Sequence, residues 1–216
     1  MKNATTLRGL LASQRQSLGD KHPDTLCCMS NLAVQLDING KPMEAEPLSR
    51  EVLAGNREML GDMHPNTLTC ISNLARVLTN MGKLAEAEPL AREALAGRRK
   101  TLGETHRDTL QAIGTLLLVL VGQGKLAEAE PLNRLKLAEL RRTLGEKHRD
   151  TLTCSGNLAK LLSEMGKIEE AEPLSRETVA GCREVLGSKC LDTLVAISNL
   201  AGLLMNMDKL SEARRL

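Results

Sequence analysis

Residues 60–101 read LGDMHPNTLTCISNLARVLTNMGKLAEAEPLAREALAGRRKT, and related stretches follow one another along the chain at intervals of 42 residues. The Leu-Gly pair that opens each stretch occurs at Leu18, Leu60, Leu102, Leu144 and Leu186. The copies that start at Leu60 and Leu144 are identical at 24 of 42 positions. A fixed period of this length is typical of a solenoid, in which each repeat buries its apolar face only against its neighbours. The spacing therefore predicts an array of stacked repeats.

The first helix of each repeat is predicted from an apolar stripe. In the stretch quoted above, Leu68, Ile71 and Leu74 recur every three or four residues, which is the spacing of one face of an α-helix. The His-Pro-Asn-Thr segment before the stripe marks the helix start because proline fits the first turn, and it leaves both the histidine and the asparagine open as the N-cap. Gly82 ends the helix, since glycine readily adopts the left-handed conformation found there. In the last copy Asp208 replaces this glycine, which should cost some stability.

The second helix starts near Lys83 and continues the apolar spacing. A proline lies about one turn inside it in four copies, as Pro47, Pro89, Pro131 and Pro173. Proline removes a backbone donor and disfavours helix at the residue before it, so a break is one possibility. Because the apolar spacing runs through the proline, a continuous helix with a local distortion is favoured.

Two helices per repeat predict an all-α solenoid that forms a single domain over residues 1–216. Its start is expected to be the second helix of a partial repeat, because Arg8 and Leu11 lie 42 residues before Arg50 and Leu53. The predicted bounds are 1–17 for this partial repeat, 18–59, 60–101, 102–143 and 144–185 for four full repeats, and 186–216 for a last partial repeat.

Composition argues against several classes of partner. The net charge is +2 with 26% charged residues, so no polybasic surface for nucleic acid or membranes is expected. Phe, Tyr and Trp are all absent, which removes base stacking on aromatic side chains and aromatic anchors at an interface. No apolar run has the length of a membrane span. Neither a nucleic-acid nor a membrane partner is therefore predicted.

The six cysteines are interpreted as packing residues or incidental thiols. Cys28, Cys70 and Cys154 share one repeat position, where the other two copies carry alanine, as expected of a small buried residue. The adjacent pair Cys27-Cys28 lacks the spacing of metal ligands. Neither a disulfide nor a metal site is predicted, and this cysteine usage favours a reducing, cytoplasmic compartment.

No catalytic constellation is predicted. One histidine occurs in each of four copies, as His22, His64, His106 and His148. Stacked repeats would keep these side chains too far apart to share a metal, so a capping or loop-packing role is expected. The stretch Gly122-Gln123-Gly124-Lys125 resembles only part of a phosphate-binding loop, because the full spacing is missing. We therefore expect no enzymatic activity, no cofactor and no metal.

The segments Asn-Leu-Ala-x-x-Leu, Gly-Lys and Glu-Ala-Glu-Pro-Leu resemble the tetratricopeptide repeat in its 42-residue form. This form occurs in kinesin light chains, nephrocystin-type proteins and STAND-type signalling proteins. Leu74, Ala75 and Ala87 match three of its signature positions, whereas the usual tyrosine of the first helix is leucine in every copy, as at Leu78. The resemblance implies a right-handed superhelical solenoid of antiparallel helix pairs that acts as a non-enzymatic scaffold for protein–protein interaction.

The resemblance also implies a set of binding residues. An asparagine recurs in the middle of the first helix in four copies, at a position that faces the concave groove of tetratricopeptide arrays and bonds the backbone of an extended peptide. Two cations lie nearby on the same face. The predicted peptide-binding residues are Asn31, Asn73, Arg76, Asn157, Lys160 and Asn199. In the alternative interpretation, the asparagines bond the neighbouring helix and fix the angle between repeats.

Together these residues predict a scaffold or adaptor that binds extended, acidic peptide segments of protein partners. The small and apolar groove face of the third copy, with Leu118 and Val121, is expected to form an apolar pocket. Two other functions stay open. The array could be the sensor or regulatory part of a larger STAND-type signalling protein, or a structural spacer that self-associates end to end.

Overall fold

The computed structural model describes residues 4–207 together with Lys209 and Ala213. All regular elements in this part of the chain are α-helices, which confirms the all-α prediction. They are α1 (Ala4–Leu18), α2 (Pro23–Ile38), α3 (Pro42–Leu60), α4 (Pro65–Asn80), α5 (Leu84–Leu102), α6 (Arg107–Gly122), α7 (Leu126–Leu144), α8 (Arg149–Glu164), α9 (Ile168–Leu186) and α10 (Leu191–Asn206). First helices of 16 residues alternate with second helices of 19 residues from α2 to α10.

The chain divides into two compact units, one ending at Gln123 and the other starting at Gly124. Helices α1 to α6 belong to the first unit, and α7 to α10 belong to the second. Within each unit a first helix pairs with the following second helix in antiparallel fashion. Leu68 near the start of α4 faces Gly97 near the end of α5, and Leu152 of α8 faces Gly181 of α9. The predicted repeat bounds stay a prediction.

Each of the four histidines caps the first helix that follows it. The Nδ1 atom of His64 accepts a hydrogen bond from the backbone N–H of Asn66 at 3.2 Å, and its backbone is extended, as a cap requires. His22, His106 and His148 make the same contact at 3.1–3.2 Å. The expected capping role is confirmed, and the histidine rather than Asn66 is the cap. Cys190, at the start of α10, makes no side-chain cap bond.

Glycine and proline act as predicted within the repeats. Gly82 has φ of 75°, and its counterparts Gly40, Gly124 and Gly166 have φ of 72–75°, so the left-handed helix end is confirmed. Helix α5 runs through Pro89, and the other three second helices likewise contain their prolines. The continuous helix is therefore confirmed. Asp208, which replaces this glycine in the last copy, lies outside the described residues.

Small side chains fill the interior where helices approach closely. Cys28, Cys70 and Cys154 are buried, as predicted for a packing position. Burial raises the pKa of the Cys154 thiol to about 11 and also raises that of Cys70, because the charged thiolate loses its hydration. The Cys70 and Cys154 thiols therefore stay protonated near neutral pH and pack as small side chains.

Candidate functional site

The predicted binding residues lie on the first helices. Neighbouring first helices contact one another within each unit, so that α4 lies against α2 and α6, and α10 lies against α8. Asn31 and Asn157 are exposed, whereas Asn73 and Asn199 are half-buried. Asn31 donates to the Cys27 sulfur at 3.7 Å on its own helix.

The side chains of Asn73, Asn157 and Asn199 make no hydrogen bond to any residue that the structure describes. None of the four asparagines bonds a neighbouring helix in this part of the molecule. Their amides are therefore available to an external ligand, and each could both donate and accept a hydrogen bond.

Arg76 is already engaged in an interaction that sequence reasoning missed. Its guanidinium pairs with Asp37 of α2, whose side chain is fully buried, and Asn80 of α4 donates to the other carboxylate oxygen of Asp37 at 2.8 Å. A buried carboxylate is stable only when its charge is compensated and its oxygens accept hydrogen bonds. Arg76 therefore joins α4 to α2 and offers little positive charge to a ligand.

The crevice beside Asn73 and Arg76 is nearly filled. It lies among α2, α3 and α4, next to Val34 and Ser49, and has a volume of about 10 Å³. The Ser49 hydroxyl donates to the carbonyl of Ala45 at 2.9 Å. There is no room here for a ligand side chain, so we call this region the closed crevice.

An open pocket of about 230 Å³ occupies the corresponding place three repeats further along the chain, among α8, α9 and α10. Asn199 and Ser175 correspond in it to Asn73 and Ser49, while Gly202 replaces Arg76. We call it the α8–α10 pocket. It is lined by Ala159, Lys160, Ser163, Glu164, Ser175, Ser198, Asn199, Gly202 and Leu203.

Several polar groups of the α8–α10 pocket have unused hydrogen-bonding capacity. The ammonium of Lys160 is 3.9 Å from the Glu164 carboxylate, too far for a hydrogen bond, and the lysine side chain is 59% exposed. The side chains of Ser163, Ser175 and Ser198 make no hydrogen bond within the described residues. Ser175 is only 4% exposed, and it borders the pocket.

The structure places the residues of the predicted apolar pocket on α6, in the first unit. Leu118 is 54% exposed and Val121 is also exposed, although both are large apolar side chains. Gly122 lies close to the side chain of Leu84, which is half-buried. This part of the groove face therefore presents apolar surface to solvent.

The second helices carry a ladder of ion pairs that sequence reasoning also missed. Glu46 accepts hydrogen bonds from Arg50 at 2.9 Å and from Lys83 of the next repeat at 2.8 Å. Arg50 in turn reaches Glu86 of that repeat at 2.7 Å. In the second unit, Glu130 bonds Arg134 and Lys167 in the same way. The pKa values of Glu46 and Glu130 are held below the ordinary value mainly by the hydrogen bond from the lysine and, to a smaller extent, by that from the arginine.

No cluster of three or more His, Cys, Asp or Glu side chains suited to a metal ion occurs among the described residues. In the same part of the chain, none of the helices combines the length and apolar character needed to cross a membrane.

Three segments, residues 25–66, 67–108 and 151–189, match the sequence model of the tetratricopeptide repeat. The chain belongs to the tetratricopeptide repeat family. The matched segments cover more than half of the sequence, so the family predicted from the repeat motifs is confirmed. A comparison with curated protein sequences gave no match.

Solved structures show the same fold. A kinesin light chain-type protein from Podosopora anserina with nearly identical TPR-like repeats is 28% identical, with a TM-score of 0.78 over 90% of this chain and 92% of that chain. BtubC (BKLC) from P. vanneervenii is 19% identical, with a TM-score of 0.78 over 97% of this chain and 87% of that one. A Rap protein complexed with Competence and Sporulation Factor is 11% identical, with a TM-score of 0.68 over 98% and 66%. The predicted likeness to kinesin light chain repeats is confirmed.

Proposed function

We propose that this tetratricopeptide array is a non-enzymatic, cytoplasmic scaffold for protein–protein interaction that binds extended peptide segments along its first helices. The observation that carries this proposal is the pair of asparagines on the first helices of each unit, Asn31 and Asn73 in the first and Asn157 and Asn199 in the second. Asn73, Asn157 and Asn199 have no hydrogen-bond partner among the described residues, and an extended peptide backbone supplies both donors and acceptors.

The same asparagines limit the affinity that we expect. A neutral hydrogen bond contributes about 0.5–1.5 kcal/mol net, and the peptide loses conformational entropy when it is ordered. The chain has no Phe, Tyr or Trp to anchor a ligand. We therefore expect affinities near the micromolar range, or about −8 kcal/mol, unless a pocket adds a stronger contact.

A preference for acidic peptides is supported in the second unit more than in the first. Of the two predicted cations, Arg76 is paired with the fully buried carboxylate of Asp37, whereas Lys160 is exposed and lies 3.9 Å from the exposed carboxylate of Glu164, beyond hydrogen-bond distance. The acidic preference is therefore assigned to the neighbourhood of Lys160.

The test is a selection of random displayed dodecapeptides on the purified chain, followed by binding measurements with synthetic peptides. We expect the combined Asn31/Asn73/Asn157/Asn199→Ala variant to lose at least about tenfold in affinity for the selected peptides, since several hydrogen bonds are removed. Gln111→Ala, an exposed polar residue of α6 outside these four positions, is the matched control. Circular dichroism must show equal helicity for all three proteins. Peptides that bind the wild type and the alanine variant equally well would contradict the proposal.

A further inference from the structure

We propose that the α8–α10 pocket binds one acidic side chain, an aspartate or a glutamate, of the peptide held by the first helices. This inference rests on the peptide-binding function proposed above and names the part of that surface which selects the ligand. The closed crevice and the α8–α10 pocket occupy equivalent positions in the repeats, but the first is nearly filled and the second is open.

The closed crevice shows what fills this place in the first unit. There, Asp37 of one first helix binds Arg76 and Asn80 of the next. Three repeats later, Ser163 stands in place of the aspartate and Gly202 in place of the arginine, while Asn206 retains the asparagine. Two charged side chains are thus missing from an otherwise similar arrangement. Gly202 and Ser163 line the open pocket, whose volume is about 230 Å³, compared with about 10 Å³ for the closed crevice beside Arg76.

The open pocket is lined by polar groups that lack the partners found in the closed crevice. Ser49 donates to a carbonyl one turn earlier, whereas the equivalent Ser175 makes no hydrogen bond within the described part of the chain. Ser175 is more than nine-tenths buried and borders the open pocket, so a polar group bound there could hydrogen-bond its hydroxyl. The amide of Asn199 borders the same space. A polar ligand group would satisfy these groups where an apolar one would not.

The hydrogen-bond inventory favours an acidic ligand over a basic one. Lys160 carries three N–H donors and has no acceptor within hydrogen-bond distance, and Asn199 adds two more donors. A carboxylate has two oxygens and can accept from several of these groups at once, whereas a ligand ammonium would supply no acceptor. The local charges do not decide between the two ligands, because Glu164 lies 3.9 Å from Lys160 and is less exposed than the lysine, at 40% against 59%.

Glu164 and Lys160 provide a test of the sign of the ligand charge. The probes are a dodecapeptide selected on the wild-type chain and the same peptide with its acidic residue replaced by Asn or Gln. We expect Lys160→Gln to weaken binding of the acidic peptide by about tenfold and to leave the neutral peptide unchanged, since a charge-assisted hydrogen bond is lost. Glu164→Gln should tighten binding of the acidic peptide, because it removes a repulsive carboxylate.

A third variant tests the pocket itself. Ser163→Asp combined with Gly202→Arg restores the pair that fills the closed crevice, with Asn206 positioned as Asn80 is. We expect this double variant to lose the preference for the acidic over the neutral peptide while it still binds both through the asparagines. Circular dichroism and thermal unfolding report whether it folds. If it does not fold, the exposed Lys160→Gln and Glu164→Gln substitutions decide the question alone.

The outcomes separate this inference from the function on which it rests. Selected peptides that depend on the asparagines but show no preference for an acidic residue would overturn the pocket assignment and leave the scaffold function intact. Tighter binding by Lys160→Gln together with weaker binding by Glu164→Gln would also overturn it, because this reversal of both expected effects would indicate a basic ligand. If no peptide depends on the asparagines, the proposed function fails and the inference fails with it.

Discussion

The close approach of α5 to α4 at Gly97 gives a quantitative test of the fold. Gly97 lies inside α5 and faces Leu68 of α4. A Cβ atom added to Gly97 would lie 2.4 Å from Cδ2 of Leu68 and 3.1 Å from its Cδ1. Leu68 is 1% exposed, so its side chain is enclosed by neighbours and cannot swing into solvent. Gly97→Ala should therefore force these two helices apart or repack the leucine.

Two opposing effects decide the size of this change. Alanine is favoured over glycine inside a helix by about 0.5–1 kcal/mol. Overpacking of a buried site costs about 1–3 kcal/mol. Because Leu68 must shift by about 1 Å to restore ordinary contact, the second effect should dominate. We expect a net loss of about 1–2 kcal/mol, or a fall in Tm of roughly 2–8 °C for a chain of this size.

The assay is thermal unfolding of the full chain, followed by circular dichroism at 222 nm. Gly9→Ala is the matched control, because Gly9 also lies within a helix and its added Cβ would meet no atom within 4 Å. This control should be neutral or stabilising. Gly55→Ala should lie between the two, since its Cβ would approach Leu26 at 2.9 Å. A Gly97→Ala protein as stable as the wild type would refute the reasoning, because it would show that the leucine relaxes at no cost.

Three further predictions concern the pH dependence, the helix caps and a buried charge. The free energy of unfolding should fall as the pH drops below about 4.5, because the pKa values of Glu46 and Glu130 are lower in the folded than in the unfolded chain. The two carboxylates stabilise the fold fully above the unfolded pKa, and this stabilisation is lost as the pH falls through the folded pKa. Urea unfolding midpoints should show a weaker pH dependence in the Glu46→Gln/Glu130→Gln variant, and an unchanged dependence would contradict this. Removal of the cap in His64→Ala should lower stability by about 0.5–2 kcal/mol in urea unfolding, more than Asn66→Ala does, and equal losses would argue against the histidine as cap. Arg98 is buried, desolvation lowers its pKa, and it donates to the Asp108 carbonyl and the Thr69 hydroxyl. Because a buried charge is costly to desolvate, Arg98→Leu should leave Tm unchanged or raise it. A fall in Tm of more than about 5 °C would contradict this.

The helices were predictable from the sequence because local chemistry determines their ends. A glycine with positive φ closes the first helices α2, α4, α6 and α8, as at Gly82, and a His-Pro or His-Arg pair starts each of these four. These signals act within a few residues and recur in four copies, so the periodic pattern reinforces them. Proline was an ambiguous signal, and the apolar spacing on both sides of Pro89 correctly indicated a continuous helix.

The contacts between repeats were not predictable in the same way. Asp37 and Arg76 are 39 residues apart, and each alone is an ordinary charged residue of an amphipathic helix. Nothing in the sequence states that the aspartate is buried, so Arg76 was assigned to the ligand. The α8–α10 pocket was missed for a related reason. It lies where Ser163 and Gly202 replace Asp37 and Arg76, and the sequence alone does not show that these two positions border the same space.

The repeated asparagines cannot by themselves fix where a peptide lies along the first helices. Within each unit the two asparagines offer the same donor and acceptor to a backbone that is also periodic, so these hydrogen bonds do not distinguish one part of the peptide from another. A unique register therefore requires a feature that occurs in one place. Among the described residues, the α8–α10 pocket differs from the closed crevice in volume, in unpartnered hydroxyls and in an exposed cation. An acidic side chain bound there would fix the register of the peptide on α8 and α10, which is why peptides that lack the acidic residue should bind more weakly and in more than one register on these helices.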